Sequence, residues 1–437
     1  MKLASTLFKR AALVLLLAMP VAPAWAQLGL PSLNLPGSLG SPGLDALRAP
    51  VGRLLDRTPL PELGRLRLEQ VGALLQRHPQ LIEADPLGNP AVRGEILAWN
   101  PSEQGLRAAR DAGLAVGREE AYPELDQRLV VLRTPAGAAT AALLAALRRA
   151  DPDGSYDFNH VYLGAGLAAP GPLAAPDSRA AAPAIGARVG LIDSGVDRRH
   201  EVFADAALQL WGCAGRAHPA PHGTAVAALM VGQSAAFRGA APGAGLYAAD
   251  VYCDSPVGGS VERIAAALAW LARERVGVIN ISLVGPGNAA LARAVAAMQA
   301  RGHLLVAAVG NDGPAAPALY PASYPGVVGV TGVDRRGRPL PEAARGPQVM
   351  FAAPGSQMVS AASGTPPYRQ VRGTSFAAPI VAAVLAPRLP HPDPDAARNA
   401  LATLAREAGP NAGEGRDDAV GYGAIGAAVR IDPATMR

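Results

Sequence analysis

From residue 184 onward the chain carries short, mostly apolar runs, 189–192, 208–211, 246–252, 276–283, 304–309, 327–333 and 349–353, without sustained alternation of apolar and polar positions. Runs of this kind are buried on both faces, which is the signature of a mostly parallel sheet covered by helices. Helical stretches separate several of them, at 225–231, 261–273 and 289–300. In the second of these Ile264, Leu268 and Leu271 fall on one helix face. Two more helices are expected after residue 375, one to about 385 and one over 394–406. Strand and helix in alternation predict an α/β fold for residues 184–437, a doubly wound, mostly parallel sheet between two helical layers.

Residues 94–163 carry a different order. A strand at 95–99 leads to a helix at 102–112 opened by Ser102, strands at 114–121 and 128–133, a second helix at 136–150 and a last strand at 156–163. That is β-α-β-β-α-β, the ferredoxin-like arrangement of a small α+β domain. Between the two units, residues 164–183 are almost wholly Ala, Gly, Pro and Leu, with little to bury or to hydrogen-bond, and read as an exposed linker open to proteolysis. Residues 27–93 form a flexible leader. Its first part is rich in Pro, Gly, Leu and Ser without a period, and Leu66, Leu68, Val71, Leu74, Leu75 and Leu81 then mark one or two short amphipathic helices.

The first 26 residues have the layout of a secretory signal peptide: Lys2, Lys9 and Arg10, an apolar stretch over 11–19, and Ala24-Trp25-Ala26 before Gln27. Pro20 and Pro23 interrupt the run, so a membrane anchor is not expected to remain after cleavage, and the protein should be secreted or periplasmic. Two cysteines, Cys213 and Cys253, in an exported chain point to one disulfide. Half of the 437 residues are hydrophobic but only 4% are aromatic, so the core is built from Ala, Val and Leu. The net charge of +5 is spread without a Lys/Arg block, which argues against nucleic acid as a partner.

Four short segments carry the chemistry: V-G-L-I-D-S-G-V-D around Asp193, H-G-T-A-V-A-A-L from His222, A-A-V-G-N-D-G with Asn311, and G-T-S-F-A-A-P around Ser375. A serine hydroxyl is a weak nucleophile without a base, and an imidazole needs a carboxylate to orient it. Asp193 ends an apolar strand, while His222 and Ser375 each open a helix. Strand ends of a parallel sheet are where α/β folds carry their sites.

In these segments, and in the chain order Asp, His, Ser, the sequence resembles the subtilase family of subtilisin-like serine proteases. The resemblance implies a catalytic triad of Asp193, His222 and Ser375, with Asn311 donating to the oxyanion. It implies two substrate-binding edges, one with Gly258 and Gly259, the other Ser282, Leu283 and Val284, where Val284 replaces the usual glycine. The primary pocket would be walled by these and by Ala308 and Gly310, with Leu319 near its base, which favours small or medium apolar side chains. The 94–163 unit resembles the family's propeptide, a folding aid and intramolecular inhibitor. The resemblance also makes Cys213 and Cys253 neighbours, the alternative being a free thiol near His222.

Other chemistry finds less support. The loop after the His222 helix, G-Q-S-A-A-F-R-G-A-A-P, has no carboxylates for calcium. His218 and His222 have a metal-like spacing, but Pro219 and Pro221 stand between them and no helix is expected there, so neither metal nor other cofactor is expected. Asp197, Asp417 and Asp418 read as structural. An α/β-hydrolase esterase needs G-x-S-x-G, and Ala377 stands where the last glycine belongs. The expectation is therefore an exported, monomeric serine endopeptidase of protein or peptide substrates, self-processed from a proenzyme. The alternative is a catalytically silent binding protein with the same fold.

Overall fold

The computed structural model describes residues 60–164, 167–168, 184, 186–235, 237–409 and 415–429. The expected signal peptide, the first part of the leader and most of the linker lie outside them.

Helix α1 (Leu60–Arg77) leads into a five-stranded antiparallel sheet. Its strands are β1 (Ile82–Ala84), β2 (Pro90–Trp99), β3 (Ala115–Tyr122), β4 (Gln127–Arg133) and β5 (Ser155–His160), with helices α2 (Glu103–Asp111) and α3 (Thr140–Ala150) between them. β2 lies between β4 and β5, and β3 pairs the far side of β4, which is the ferredoxin-like order, while β1 adds a hairpin ahead of residue 94. Ser102 caps α2 by accepting from Gly105 N–H at 2.9 Å. Helix α3 starts at Thr140, later than the apolar pattern suggests, because Pro135 and Gly137 take the preceding turn.

The pleat of this sheet sorts its side chains. Ile96, Ala98, Val130 and Leu132 join Leu106, Leu144 and Leu147 in the unit's own core. Leu97, Trp99, Leu129 and Val131 point the other way, into a cluster shared with the second unit.

After the short strands β6 (Leu163–Gly164) and β7 (Leu167–Ala168), the second unit contributes β8 (Arg188–Asp193), β9 (Leu208–Trp211), α4 (Pro221–Val231), β10 (Gly245–Asp250), α5 (Val261–Arg273), β11 (Val278–Ile281), β12 (Leu283–Val284), α6 (Ala289–Ala300), β13 (Leu304–Ala308), β14 (Val328–Val333), β15 (Val349–Pro354), β16 (Met358–Ala361), β17 (Tyr368–Arg372), α7 (Thr374–Leu385) and α8 (Pro394–Glu407). Seven of these strands make one parallel sheet in the order β9-β10-β8-β11-β13-β14-β15. Helices α4, α7 and α8 belong to the apolar cluster on one face, α5 and α6 to that on the other. This is the three-layer α/β architecture the apolar runs predict. Along β8, Val189 and Leu191 face the first cluster and Ile192 the second. Gly190 leaves room for α5: a Cβ there would stand 3.1 Å from a Leu271 methyl.

The N-terminal sheet lies on α5 and α6, so its inner face and the outer helical layer share one core. No helix among the described residues is long and apolar enough to cross a membrane.

Candidate active site

Three segments converge at the C-terminal ends of the central strands. Asp193 is the last residue of β8 and fully buried. His222 is the second residue of α4, with its side chain 21% exposed. Ser375 is the second residue of α7 and fully buried. His222 Nδ1 lies 2.8 and 3.0 Å from the two Asp193 carboxylate oxygens, and its Nε2 lies 3.1 Å from Ser375 Oγ. With Nδ1–H donating to the carboxylate, Nε2 is left to accept from the hydroxyl. Burial works against a charged His222 ring, but the charge and hydrogen bond of Asp193 outweigh it and hold the histidine above its ordinary pKa.

The neighbours of these residues are dictated by space. A Cβ on Gly223 would stand 2.0 Å from the Ser194 carbonyl oxygen, and one on Gly195 would stand 2.2 Å from that of His218, so both glycines are needed where α4 presses on the end of β8. Thr224 Oγ1 accepts from Asp197 N–H at 3.0 Å, which ties the D-S-G-V-D loop to the helix. No helix joins His218 to His222, as the two prolines imply: Pro221 occupies the first position of α4, where its missing N–H costs nothing, and His218 stays outside.

Around Ser375 the backbone is held by other means. Pro379, inside α7, has no N–H to give to the Ser375 carbonyl one turn back. Ser282 Oγ donates to that carbonyl at 2.9 Å, and Asn280 Nδ2 donates to Ser282 Oγ at 2.8 Å. Asn311 Oδ1 accepts from Thr374 N–H at 3.1 Å, which fixes the side-chain amide beside the start of α7, and Thr374 Oγ1 accepts from Gly310 N–H at 3.2 Å.

The two expected edges flank a bound strand of the chain's own. β6 pairs antiparallel with β12, Leu283 opposite Gly164 and Val284 opposite Leu163. A Cβ on Gly164 would lie 3.8 Å from the His222 ring. On the other side Tyr162 N–H donates to Gly259 O at 2.8 Å. Gly258 and Gly259 are needed: a Cβ on the first would meet Tyr252 at 2.5 Å, and on the second the Tyr162 carbonyl at 2.4 Å. Val284, Ala308 and Leu319 belong to one apolar cluster, while Leu283 belongs to the other. Gly310 has φ +102°, and its missing Cβ would stand 2.5 Å from a Leu319 methyl.

Cys213 and Cys253 form a disulfide just past β9 and β10, beside Asp250, which is paired with Asp193 across the sheet. Asp417 holds a local turn by accepting from Ala419 and Val420 N–H, both at 2.7 Å, and the Asp418 carbonyl accepts from Gly346 N–H at 2.9 Å.

Several contributors carry no local signal in the sequence. Ser194 braces the carboxylate, with its N–H 2.6 Å from Asp193 Oδ1 and its Oγ accepting from Gly223 N–H at 3.0 Å. Asn280 and Tyr252 act only through the fold, and no local pattern marks them. Asp312, directly after Asn311, pairs with Arg67 of the leader helix α1.

The chain is similar to several known proteins. A model of the subtilase family matches residues 184–423. Thermitase of Thermoactinomyces vulgaris is 31% identical over 238 residues, which are 52% of this chain and 84% of that protein. The thermostable alkaline protease of Halalkalibacterium halodurans is 34% identical over 211 residues, 46% of this chain and 56% of that protein. Among solved structures, fervidolysin of Fervidobacterium pennivorans, a keratinolytic enzyme related to subtilisin, is similar in fold with a TM-score of 0.62 at 19% identity, covering 78% of this chain and 61% of that one. The chain thus spans little more than half of the alkaline protease and about three fifths of the fervidolysin chain.

Proposed function

The chain belongs to the subtilase family, the subtilisin-like serine proteases, and from that premise we propose that residues 184–437 act as an exported serine endopeptidase with Asp193, His222 and Ser375 as its triad. One observation carries this reading: the continuous hydrogen-bonded path from the Asp193 carboxylate through His222 to the Ser375 hydroxyl. Ser375 Oγ attacks the peptide carbonyl carbon while its proton passes to His222 Nε2, and Asp193 stabilises the resulting imidazolium. The Asn311 amide and the Ser375 N–H at the start of α7 donate to the oxyanion. Collapse of the tetrahedral species breaks the C–N bond, and His222 returns its proton to the leaving amine. Water then repeats the sequence on the acyl-enzyme and frees the serine. Nothing in this cycle calls for a metal or another cofactor.

The 94–163 unit acts as the inhibitor and folding aid of the same chain. This is supported by the position of β6, which fills the cleft in the manner of a substrate strand with Gly164 against His222. Self-cleavage then falls after the residue that follows Gly164 and frees the catalytic domain. Labelling with a fluorophosphonate tests the enzyme directly: wild-type protein should be labelled and processed, whereas Ser375→Ala should be unlabelled and uncut. An uncleaved but stably folded wild type that takes no label would favour the silent fold.

A further inference from the structure

The strand that leads to the nucleophile ends on a buried charge. Arg372, the last residue of β17, is 4% exposed, and its Nε and Nη2 donate at 2.6 and 2.9 Å to the two carboxylate oxygens of Glu342, itself 3% exposed. Only Gly373 and Thr374 separate Arg372 from Ser375, and both are held. Gly373 N–H donates to Gly355 O at 2.8 Å, and Thr374 N–H to Asn311 Oδ1 at 3.1 Å. Glu342 is tied to the other segment. Its carbonyl accepts from Gly313 N–H at 2.8 Å, and Ala344 N–H, two residues on, donates to Gly310 O at 3.1 Å, so the stretch around Glu342 is bonded on both sides of Asn311. The ion pair therefore closes a ring that runs from Arg372 through Thr374, Asn311 and Gly313 to Glu342 and back.

Stability alone does not account for this pair. Taking both charges out of water offsets most of their attraction, and apolar residues of similar volume are often as stable. What a planar fork with two parallel bonds supplies is orientation. In the proposed reaction the Asn311 amide and the Ser375 N–H converge on one oxygen atom, which requires their two segments at a fixed separation. We propose that Arg372 and Glu342 are positioning residues that set this separation. The inference rests on the protease reading and deepens it, and both side chains act through Ser375 and Asn311 instead of on substrate.

The test uses the full chain as expressed, the p-nitroanilide of succinyl-Ala-Ala-Ala as substrate, and a fluorophosphonate label, with kcat taken per labelled serine. Removing one charge would leave the other buried without a partner, so both are replaced together, in Glu342→Leu/Arg372→Met. This variant should unfold at the wild-type urea midpoint or above it, yet its kcat should fall about 10- to 100-fold with KM within about threefold of wild type. In an Asn311→Ala background the same two changes should lower kcat by less than about threefold, because the site they align is already lost. Arg372→Lys keeps the charge and loses the fork, and its smaller loss of kcat should depend on Asn311 in the same way, which decides the matter even where the double variant does not fold. A kcat within about twofold of wild type in both variants, or an equal loss with and without Asn311, would overturn the positioning role alone. Wild-type protein that takes no label would overturn the protease reading and this role with it.

Discussion

Asp157 Oδ2 accepts a 2.7 Å hydrogen bond from the backbone N–H of Ala289, so a side chain of the N-terminal sheet closes the first turn of α6. Two residues along the same strand, Asn159 Oδ1 accepts from Glu262 N–H at 3.2 Å. This matters for α5, whose own N-cap residue Ser260 makes no capping bond with its side chain. Helix starts leave several N–H groups unpartnered, and here the partner comes from the other unit. Arg118 adds an ionic tie, bonding both Glu95 and Glu262.

Removing these caps should loosen both the helices and the docking. In the uncut Ser375→Ala background, replacing Asp157 and Asn159 together by Ala should cost about 1–3 kcal/mol, from two caps at about 1 kcal/mol each. Urea unfolding of the two full-length proteins measures it. An unchanged midpoint would mean that water caps these helices equally well.

The proposed triad makes a pH prediction with a definite sign. Asp193 holds His222 above its ordinary pKa of 6.5 against the effect of burial. With His222 as the proposed base, the neutral ring is the active form, so kcat/KM should fall as pH drops through a midpoint above that value. In Asp193→Asn only burial remains to act on the ring. The residual activity, lower by roughly 10⁴-fold, should then show its acid limb shifted downward. Double substitutions with Ser375→Ala should be hardly worse than Ser375→Ala alone, because the members act as a unit. Strictly additive losses would contradict the assignment.

Burial on both faces is why so much of the fold was legible. Strands β8, β11, β13 and β14 show as apolar runs because neither side meets water. The same feature hid a bend. Residues 276–283 read as one strand, yet β11 ends at Ile281 and Ser282 turns the chain into the edge strand β12, since an apolar run carries no mark of where its backbone changes direction. The hairpin of β16 and β17 escaped for lack of a two-residue turn signal. Asp193, His222 and Ser375 were legible from their flanking glycines and small residues, which the fold explains as close backbone approach. Asn280 and Ser194 were not, because their partners lie far away in sequence or act only through the folded backbone.

Ser282 tests one of those invisible links. Its hydroxyl replaces the helical bond that Pro379 removes from the Ser375 carbonyl. Ser282→Ala should leave that buried carbonyl unpaired, lower stability by roughly 1–3 kcal/mol and reduce kcat more than it raises KM, since it shifts the nucleophile's turn. Adding Pro379→Ala restores an N–H one turn on and should recover part of both losses. Failure of the second change to help would show that the hydroxyl serves Asn280 instead of the helix.

The pocket proposed for the residue before the cut bond gives the last prediction. Val284 and Ala308 are buried in the same apolar cluster as Leu319, whose methyl occupies the space over Gly310. Side chains at 284 and 319 therefore take up volume that glycine would leave open, and the expected preference is for Ala, Val or Leu. Val284→Gly should extend the cleavage profile towards Phe and Tyr at that position. It should also weaken binding of all peptides, because glycine costs roughly 0.5–1 kcal/mol in an edge strand that must hold substrate. Leu319→Gly should deepen the pocket without that general loss, as it lies outside β12. A peptide-library profile of both variants separates the two effects. Dominant cutting after Phe, Tyr, Lys or Arg by the unsubstituted protein would show that the side chains of Val284 and Leu319 do not limit the pocket.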